Sequence, residues 1–358
     1  MATKYQPGTR ISEYVLDACV GAGSFAEVWR ARHHVWEKEI VAVKLPIEPE
    51  YVRYLQREGI VVHGLRHPNI VRVMGFDPYA EIPYLVMELV DGPSLRGVID
   101  EHRGTLALQT VLTVLRGMLS GIGAAHAAGV LHRDLKPGNV LINLAGRPIE
   151  QVGADDVKVT DFGLGIGDAD TLRSIAQSAS LDREDKLVGT LAYMAPELRD
   201  GGGKHDARSD LYAVGVMLFE LLTGERPAGA ESPSTVRADV PAAVDELFRK
   251  LYARRDRRFE SAAAAAAELE RIASSRAHAA PPPVPRRRGV TPPPIPGAAG
   301  GARCPKCGAR AEPADQFCTQ CGTQLAENIR RCPTCQGFPG PDDRYCIFCG
   351  EALPAPTG

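Results

Sequence analysis

The sequence predicts an α+β chain of two lobes with a small cysteine-rich module behind them. Three observations carry that reading. Five alternating, β-branched segments crowd into the first ninety residues, whereas a 3.6-residue apolar period takes over from Leu108 onward. Eight of the nine cysteines lie between Cys304 and Cys349 as four C-x-x-C pairs. A proline-rich stretch, PPPVPRRRGVTPPPIP, separates the two regions and favours extended polyproline II over any core.

The elements follow in chain order. SEYVLDACV, AEVWRAR and EIVAVKL read as three antiparallel strands, Tyr51 to Leu65 as a helix, and VRVMGF and YLVMEL as two further strands. Val111, Leu115, Leu119, Ile122 and His126 share one face of a long helix. Ser209 to Leu222 and Val244 to Leu251 continue as buried or amphipathic helices, and Ser261 caps the helix former AAAAAAELERI. Strands first and helices later imply two lobes with a cleft between them.

Composition narrows the setting. The 358 residues carry 42 Lys+Arg against 44 Asp+Glu, a net charge of −2, which removes any global electrostatic case for nucleic acid or an anionic membrane. No apolar run reaches the ~18 residues of a bilayer span and MATKYQPGTR is not a signal peptide, so no membrane is expected and the cytoplasm is the expected compartment. There thiols stay reduced, and paired C-x-x-C reads as metal, with disulfides or iron as the alternatives.

Several residues are placed for chemistry. Gly21-Ala-Gly23-Ser-Phe-Ala26 joins the first two strands, either as a plain hairpin turn or as a loop whose backbone amides approach phosphates. Its strand-to-strand setting disfavours a dinucleotide-binding turn. Lys44 ends the apolar VAVK, either snorkelling to the surface or holding phosphates beside Glu58 of the next helix. Then come His132-Arg-Asp-Leu-Lys-Pro-Gly-Asn139 and Val157-Lys-Val-Thr-Asp161-Phe-Gly163. Here the chain resembles the protein-kinase superfamily, in particular the eukaryotic-like Ser/Thr kinases of bacteria. VGAGSFAEV, VAVK, HRDLKPGN, DFG, GTLAYMAPE and SDLYAVGV occur in that family's order over roughly residues 13 to 275.

The resemblance implies a two-lobed kinase fold over 13–276 and phosphoryl transfer from ATP to protein Ser/Thr. It implies that Lys44 holds the α- and β-phosphates and pairs with Glu58. Asp161 and Asn139 would take Mg2+, Asp134 would accept the substrate hydroxyl's proton, and Lys136, with Thr190 nearby, would contact the γ-phosphate. Met87, Glu88 and Val90 match the hinge that bonds adenine. Val20, Val28, Ala42 and Leu141 would enclose the ring, with Gly21 and Gly23 over the phosphates. Glu197 would pair with Arg258. His132 would fix backbone, and Arg133 would await an anion from Asp182, Glu184 or Asp185, or from a phosphate upstream at Thr171, Ser174, Ser178 or Ser180. Two departures stand out: a long Asn143–Val157 connection, expected as a surface excursion, and a shortened stretch between LTGERP and VPAAVDEL where a substrate-docking helix would stand. The rival reading is a pseudokinase scaffold, against which the intact Lys44, Glu58, Asp134, Asn139 and Asp161 argue.

The tail, beyond a linker at 277–302, repeats itself. Cys304, Cys307, Cys318 and Cys321 recur 28 residues later as Cys332, Cys335, Cys346 and Cys349, in segments 303–325 and 331–353. Each C-x2-C-x10-C-x2-C set supplies four thiolates, which complete a closed tetrahedral Zn2+ site, and a unit this small folds only with its metal. The pair resembles the double zinc ribbon. Six basic and six acidic residues from Arg303 to Leu353 give no phosphate-attracting surplus, so a protein partner or autoregulation is favoured over nucleic acid. His33, His34, His63, His67, His102, His126, His205 and His278 have no ligand-like spacing, and Cys19 reads as a small core hydrophobe.

Overall fold

The structure is a computed structural model that describes residues 3–23, 26–48, 51–162, 191–199 and 203–277, together with 303–310, 320–321, 323–325, 331–333, 344–345 and 352–353 of the tail. The chain divides into two units, Met1–Pro282 and Pro283–Gly358. The stretch from Gly163 to Thr190, with all the proposed anion donors for Arg133, lies outside the described residues, as does most of the linker.

The first unit opens with strands β1 (Arg10–Ile11), β2 (Tyr14–Ala22), β3 (Ala26–His33), β4 (Ile40–Pro46), β5 (Val73–Asp77) and β6 (Tyr84–Glu88), in the antiparallel order β1-β2-β3-β4-β6-β5. The five expected strands are present. The sixth, β1, is too short to leave an alternating pattern, and Ser12, with φ 48°, turns it into β2. Period-two alternation gives the sheet two apolar faces. Tyr5, Leu16, Trp29, Ala31, Val41, Val43 and Leu45 pack on one. On the other, Ala42, Val71, Leu85 and Met87 meet Leu55 of helix α1 (Val52–Val62). Lys44 faces this second side, in register with Val28 and Leu85.

The remainder is mostly helical: α2 (Leu95–His102), α3 (Leu108–Ala127), α4 (Pro196–Arg199), α5 (Ala207–Thr223), α6 (Pro233–Val236), α7 (Ala242–Leu251) and α8 (Ala262–Ala277). Apolar residues of α3, α5, α7 and α8 form one core with Leu95, Val98 and Ile99 of α2. Contrary to the expectation that no apolar run reaches a bilayer span, helix α3 is long and apolar enough to cross a membrane by length and composition, although most of it is buried in this core. Ser261 caps α8 by accepting the Ala264 amide at 3.1 Å. Gly224 ends α5 at φ 81°, and a Cβ there would lie 2.6 Å from the Arg103 carbonyl carbon, so only glycine fits.

The hairpin β7 (Val140–Ile142) and β8 (Val157–Val159) lies between α3 and α4 in the chain. Its connection exposes residues 145–148, 150, 151, 153 and 155, a surface excursion anchored inward at two points. Ile149 and Val152 are buried in the core, and the Ala154 carbonyl lies 2.4 Å from where a Cβ on Gly117 of α3 would stand. Asn69 secures the segment by donating to the carbonyls of Ala154 (2.6 Å) and Val157 (2.9 Å). The shortened stretch before α7 contains only the single turn of α6.

Candidate active site

Strand β4 delivers Lys44 and helix α1 delivers Glu58, and the two meet at 2.6 Å while almost fully buried. The Lys44 ammonium also donates to Asp161 at 2.9 Å, so it bridges both carboxylates. Burial alone would depress the lysine, but the charges of Asp161 and Glu58 outweigh it and raise its pKa. Glu58 is pushed up to about 7 by burial, against the pull of Lys44. Burial also acts to raise Asp161, but Lys44 overrides it and holds that carboxyl below its ordinary value.

Asp161 takes φ 64°, a left-handed conformation costly outside glycine. Neighbouring contacts hold it there. Phe162 is buried with its ring 4.7 Å from that of His132, whose Nε2 pairs with the Thr160 carbonyl at 2.9 Å. His132 is fully buried, and burial lowers its pKa, which keeps the ring neutral and suited to fixing backbone.

The loop that precedes β7 supplies a second cluster. Asp134 accepts from Lys136 Nζ at 2.8 Å, and the Asn139 amide donates to the Asp134 carbonyl (2.8 Å) and carboxylate (3.3 Å). Around the sheet side of the cleft, Val28, Ala42, Val90, Met87 and Leu141 share one apolar cluster, which brings both lobes to a common floor and roof. Val20 of β2 is not part of that cluster and stands 55% exposed, and Gly23 closes the β2–β3 turn by donating to the Ala26 carbonyl at 2.9 Å. The Glu88 side chain is engaged elsewhere, accepting from Lys158 at 2.9 Å and from the Arg72 amide at 2.8 Å. Gly163 and Thr190 lie outside the described residues.

Two functional anchors escaped the sequence reading. Asp210 on α5 is 2% exposed and accepts from the amides of His132 (2.9 Å) and Arg133 (3.0 Å) and pairs with His126 Nε2 (2.8 Å). It thereby holds the loop where Arg133 sits at φ 70°. Its signal was its place in SDLYAVGV, which gave no partner. The other anchor joins three elements: Arg96 of α2 donates to Tyr193 OH (2.6 Å) and Glu220 (2.8 Å), and Tyr193 donates to Glu220 (2.5 Å). Burial, then Glu220, raises the phenol's pKa. As expected from the sequence, Glu197 and Arg258 meet, in a bidentate pair at 2.6 and 2.8 Å with the arginine side chain wholly buried.

In the tail, Cys304, Cys307 and Cys321 bring their sulfurs within 4.8 Å of one another. Backbone amides of Cys307 chiefly lower the Cys304 thiol to about 6, toward thiolate. Cys332 is buried, and Cys318, Cys335, Cys346 and Cys349 lie outside the described residues. Glu13, His33 and His34 also cluster within 4.8 Å. His33 Nδ1 accepts the amides of Val35 and Trp36, so its Nε2 keeps the ring's proton and offers no lone pair.

Residues 14–281 match the protein kinase domain family and residues 304–350 the double zinc ribbon. The serine/threonine-protein kinase PknL of Mycobacterium bovis is 34% identical over 283 residues, 73% of this chain and 66% of PknL. PknB of Mycolicibacterium smegmatis is 32% identical over 292 residues, 75% of this chain and 44% of PknB. The chain thus spans about half to two-thirds of the length of these relatives. The crystal structure of the Mycobacterium tuberculosis PknI kinase domain superposes with a TM-score of 0.56 at 23% identity, over 75% of this chain and 99% of that one, a likeness of fold. The two-lobed α+β architecture expected from the sequence is that of these proteins, and the chain belongs to the protein kinase family.

Proposed function

We propose that the chain is an ATP-dependent serine/threonine protein kinase, with a kinase domain at 13–276, a linker at 277–302 and zinc ribbons at 303–325 and 331–353. The observation that carries this is the double engagement of Lys44, which touches Glu58 at 2.6 Å and Asp161 at 2.9 Å. A buried ammonium tied to both carboxylates, beside Asp134, Lys136 and Asn139, is the charge arrangement that phosphoryl transfer requires.

Each residue then has a task. Lys44 neutralises the α- and β-phosphates, and Glu58 keeps it in place. Asp134 orients the substrate hydroxyl and accepts its proton as the oxygen bonds to the γ-phosphorus. The bond from that phosphorus to the β-phosphate oxygen breaks, and ADP leaves. Lys136, now paired with Asp134, offers its ammonium to the γ-phosphate. Glu88 and Val90 present hinge backbone to adenine, between Val20, Val28, Ala42 and Leu141, with Gly21 and Gly23 over the phosphates.

Magnesium fits the donor set. Both hydrogen bonds from the Asn139 NH2 go to Asp134, which leaves the amide oxygen as its ligand end, and Asp161 adds a carboxylate. When bound there, the ion would neutralise negative charge on the phosphates. The gathered thiols of Cys304, Cys307 and Cys321 suit Zn2+ in the same way, with Cys318 as the fourth ligand and Cys332, Cys335, Cys346 and Cys349 as the second set. A protein partner at the ribbons and protein Ser/Thr substrates complete the reading.

The test is incorporation of γ-phosphate from radiolabelled ATP. Wild type is expected to label itself or an added protein on Ser/Thr, and Asp134→Asn to lose at least about a hundredfold, the scale of a lost general base. Equal labelling by both would overturn the assignment. No labelling by either would favour the scaffold reading.

A further inference from the structure

The segment before β1 is not a loose end. Its Lys4 backbone amide donates to Glu27 Oε1 at 2.7 Å, and Trp29 Nε1 donates to Glu27 Oε2 at 2.9 Å. Glu27 is only 4% exposed. Tyr5 is buried beside it against Trp29, Val43 and Leu45, and donates its hydroxyl to the Pro46 carbonyl at 3.0 Å. Lys4 Nζ reaches the Ile47 carbonyl, and the Gly8 amide bonds the Leu16 carbonyl at 2.7 Å. Residues 4–8 thus lie over the outer face of the sheet, stitched to β2, to β3 and to the end of β4.

The position of Glu27 makes this arrangement consequential. It stands on β3 one residue past Ala26, whose carbonyl closes the glycine turn, and one residue before Val28 on the nucleotide face. In register it faces Ala22 of β2 and Leu45 of β4, the neighbours of Gly21 and Lys44. A carboxylate with little water contact needs hydrogen-bond donors, and here one donor is the chain's own N-terminal segment. Fixing Glu27 therefore fixes the base of the hairpin that arches over the phosphates.

We infer that Glu27 is a positioning residue for nucleotide binding, and that the Lys4 amide is the latch that holds it. The inference rests on the ATP-binding reading above. With the latch closed the hairpin is ordered before ATP arrives, and less ordering entropy is lost on binding. With it open, nucleotide affinity falls while the chemical step, carried by Asp134 and Lys44, is untouched.

Two substitutions at one position isolate the latch in the full-length chain. Lys4→Pro removes the amide hydrogen, whereas Lys4→Ala keeps it and removes only the side chain. ADP affinity is measured by calorimetry, and the KM for ATP and kcat with casein as acceptor. Lys4→Pro is expected to weaken ADP binding and raise the KM about threefold to tenfold, with kcat within about twofold of wild type. Lys4→Ala should resemble wild type, and Glu27→Gln, which turns an NH2 toward one of the two donors, should shift in the same direction as Lys4→Pro. Equal ADP affinity in wild type, Lys4→Pro and Glu27→Gln overturns the inference and leaves the kinase reading intact. Equal weakening by Lys4→Pro and Lys4→Ala overturns the latch as well, since the side chain would then be the cause. A wild-type chain that binds no ADP defeats both readings together.

Discussion

Asp210 shows how much one side chain can hold. Three donors converge on a carboxylate that is almost out of contact with water, and two of them are the amides that shape the loop bearing Asp134. Asp210→Ala should therefore cost roughly 3–5 kcal/mol in urea unfolding, because it strands buried donors, and kcat should fall with it. The carboxyl also gives stability a pH dependence of definite sign. Burial would raise its pKa, but hydrogen bonding from His126 and from the His132 amide holds it below its ordinary value of 3.8 in the fold. Its contribution is complete above 3.8 and is lost as the pH falls through the lower folded value. The thermal midpoint of wild type should drop in that acid range, and Asp210→Asn should drop less steeply. A variant with the same acid slope as wild type would contradict this.

At the scale of elements, the junction of α4, α5 and the approach to α8 depends on Arg258. Its guanidinium takes both Glu197 oxygens, the Ala253 and Arg208 carbonyls, and lies 4.8 Å over the Tyr212 ring. Arg258→Ala should destabilise by roughly 3–5 kcal/mol in chemical denaturation, since Glu197 is left beside an empty site. Arg258→Lys should recover only part of that, because one ammonium cannot supply the planar fork. This pair was legible in the sequence, as was Lys44 with Glu58, through the resemblance to the kinase family, which matches each partner to a position in that family's order. So were the five longer strands and the major helices, whose periodicity is a local property. What was not legible is what depends on tertiary meeting points. Asp210 reaches residues 77 and 78 positions away, and Arg96 meets partners 97 and 124 positions away, with no local pattern to announce either. The Asn143–Val157 connection read as a surface excursion, and what left no local signal is the gap at Gly117 that lets its Ala154 carbonyl approach α3.

On the scale of the whole molecule, the two units stand on different physical footings. The first has an extensive apolar core, whereas among the described residues of the second the organising feature is its gathered thiols. Elemental analysis of purified protein should find two zinc ions per chain, and a chelator should raise the number of reactive thiols without shifting the main thermal transition. One zinc per chain would contradict the repeat. The first unit's core in turn has a temporal side. Helix α3 is its central apolar rod, and it is covered by α5 and by α8, whose Leu269 and Ile272 are synthesised some 140 residues later. At about 5–20 residues per second, a ribosome needs roughly seven to thirty seconds to close that gap. Until α8 is made, a segment greasy enough to pass for a membrane span lacks part of its cover. Nascent chains stalled before Ala262 are therefore expected to crosslink to a chaperone through residues 108–127, and no crosslink there would refute this.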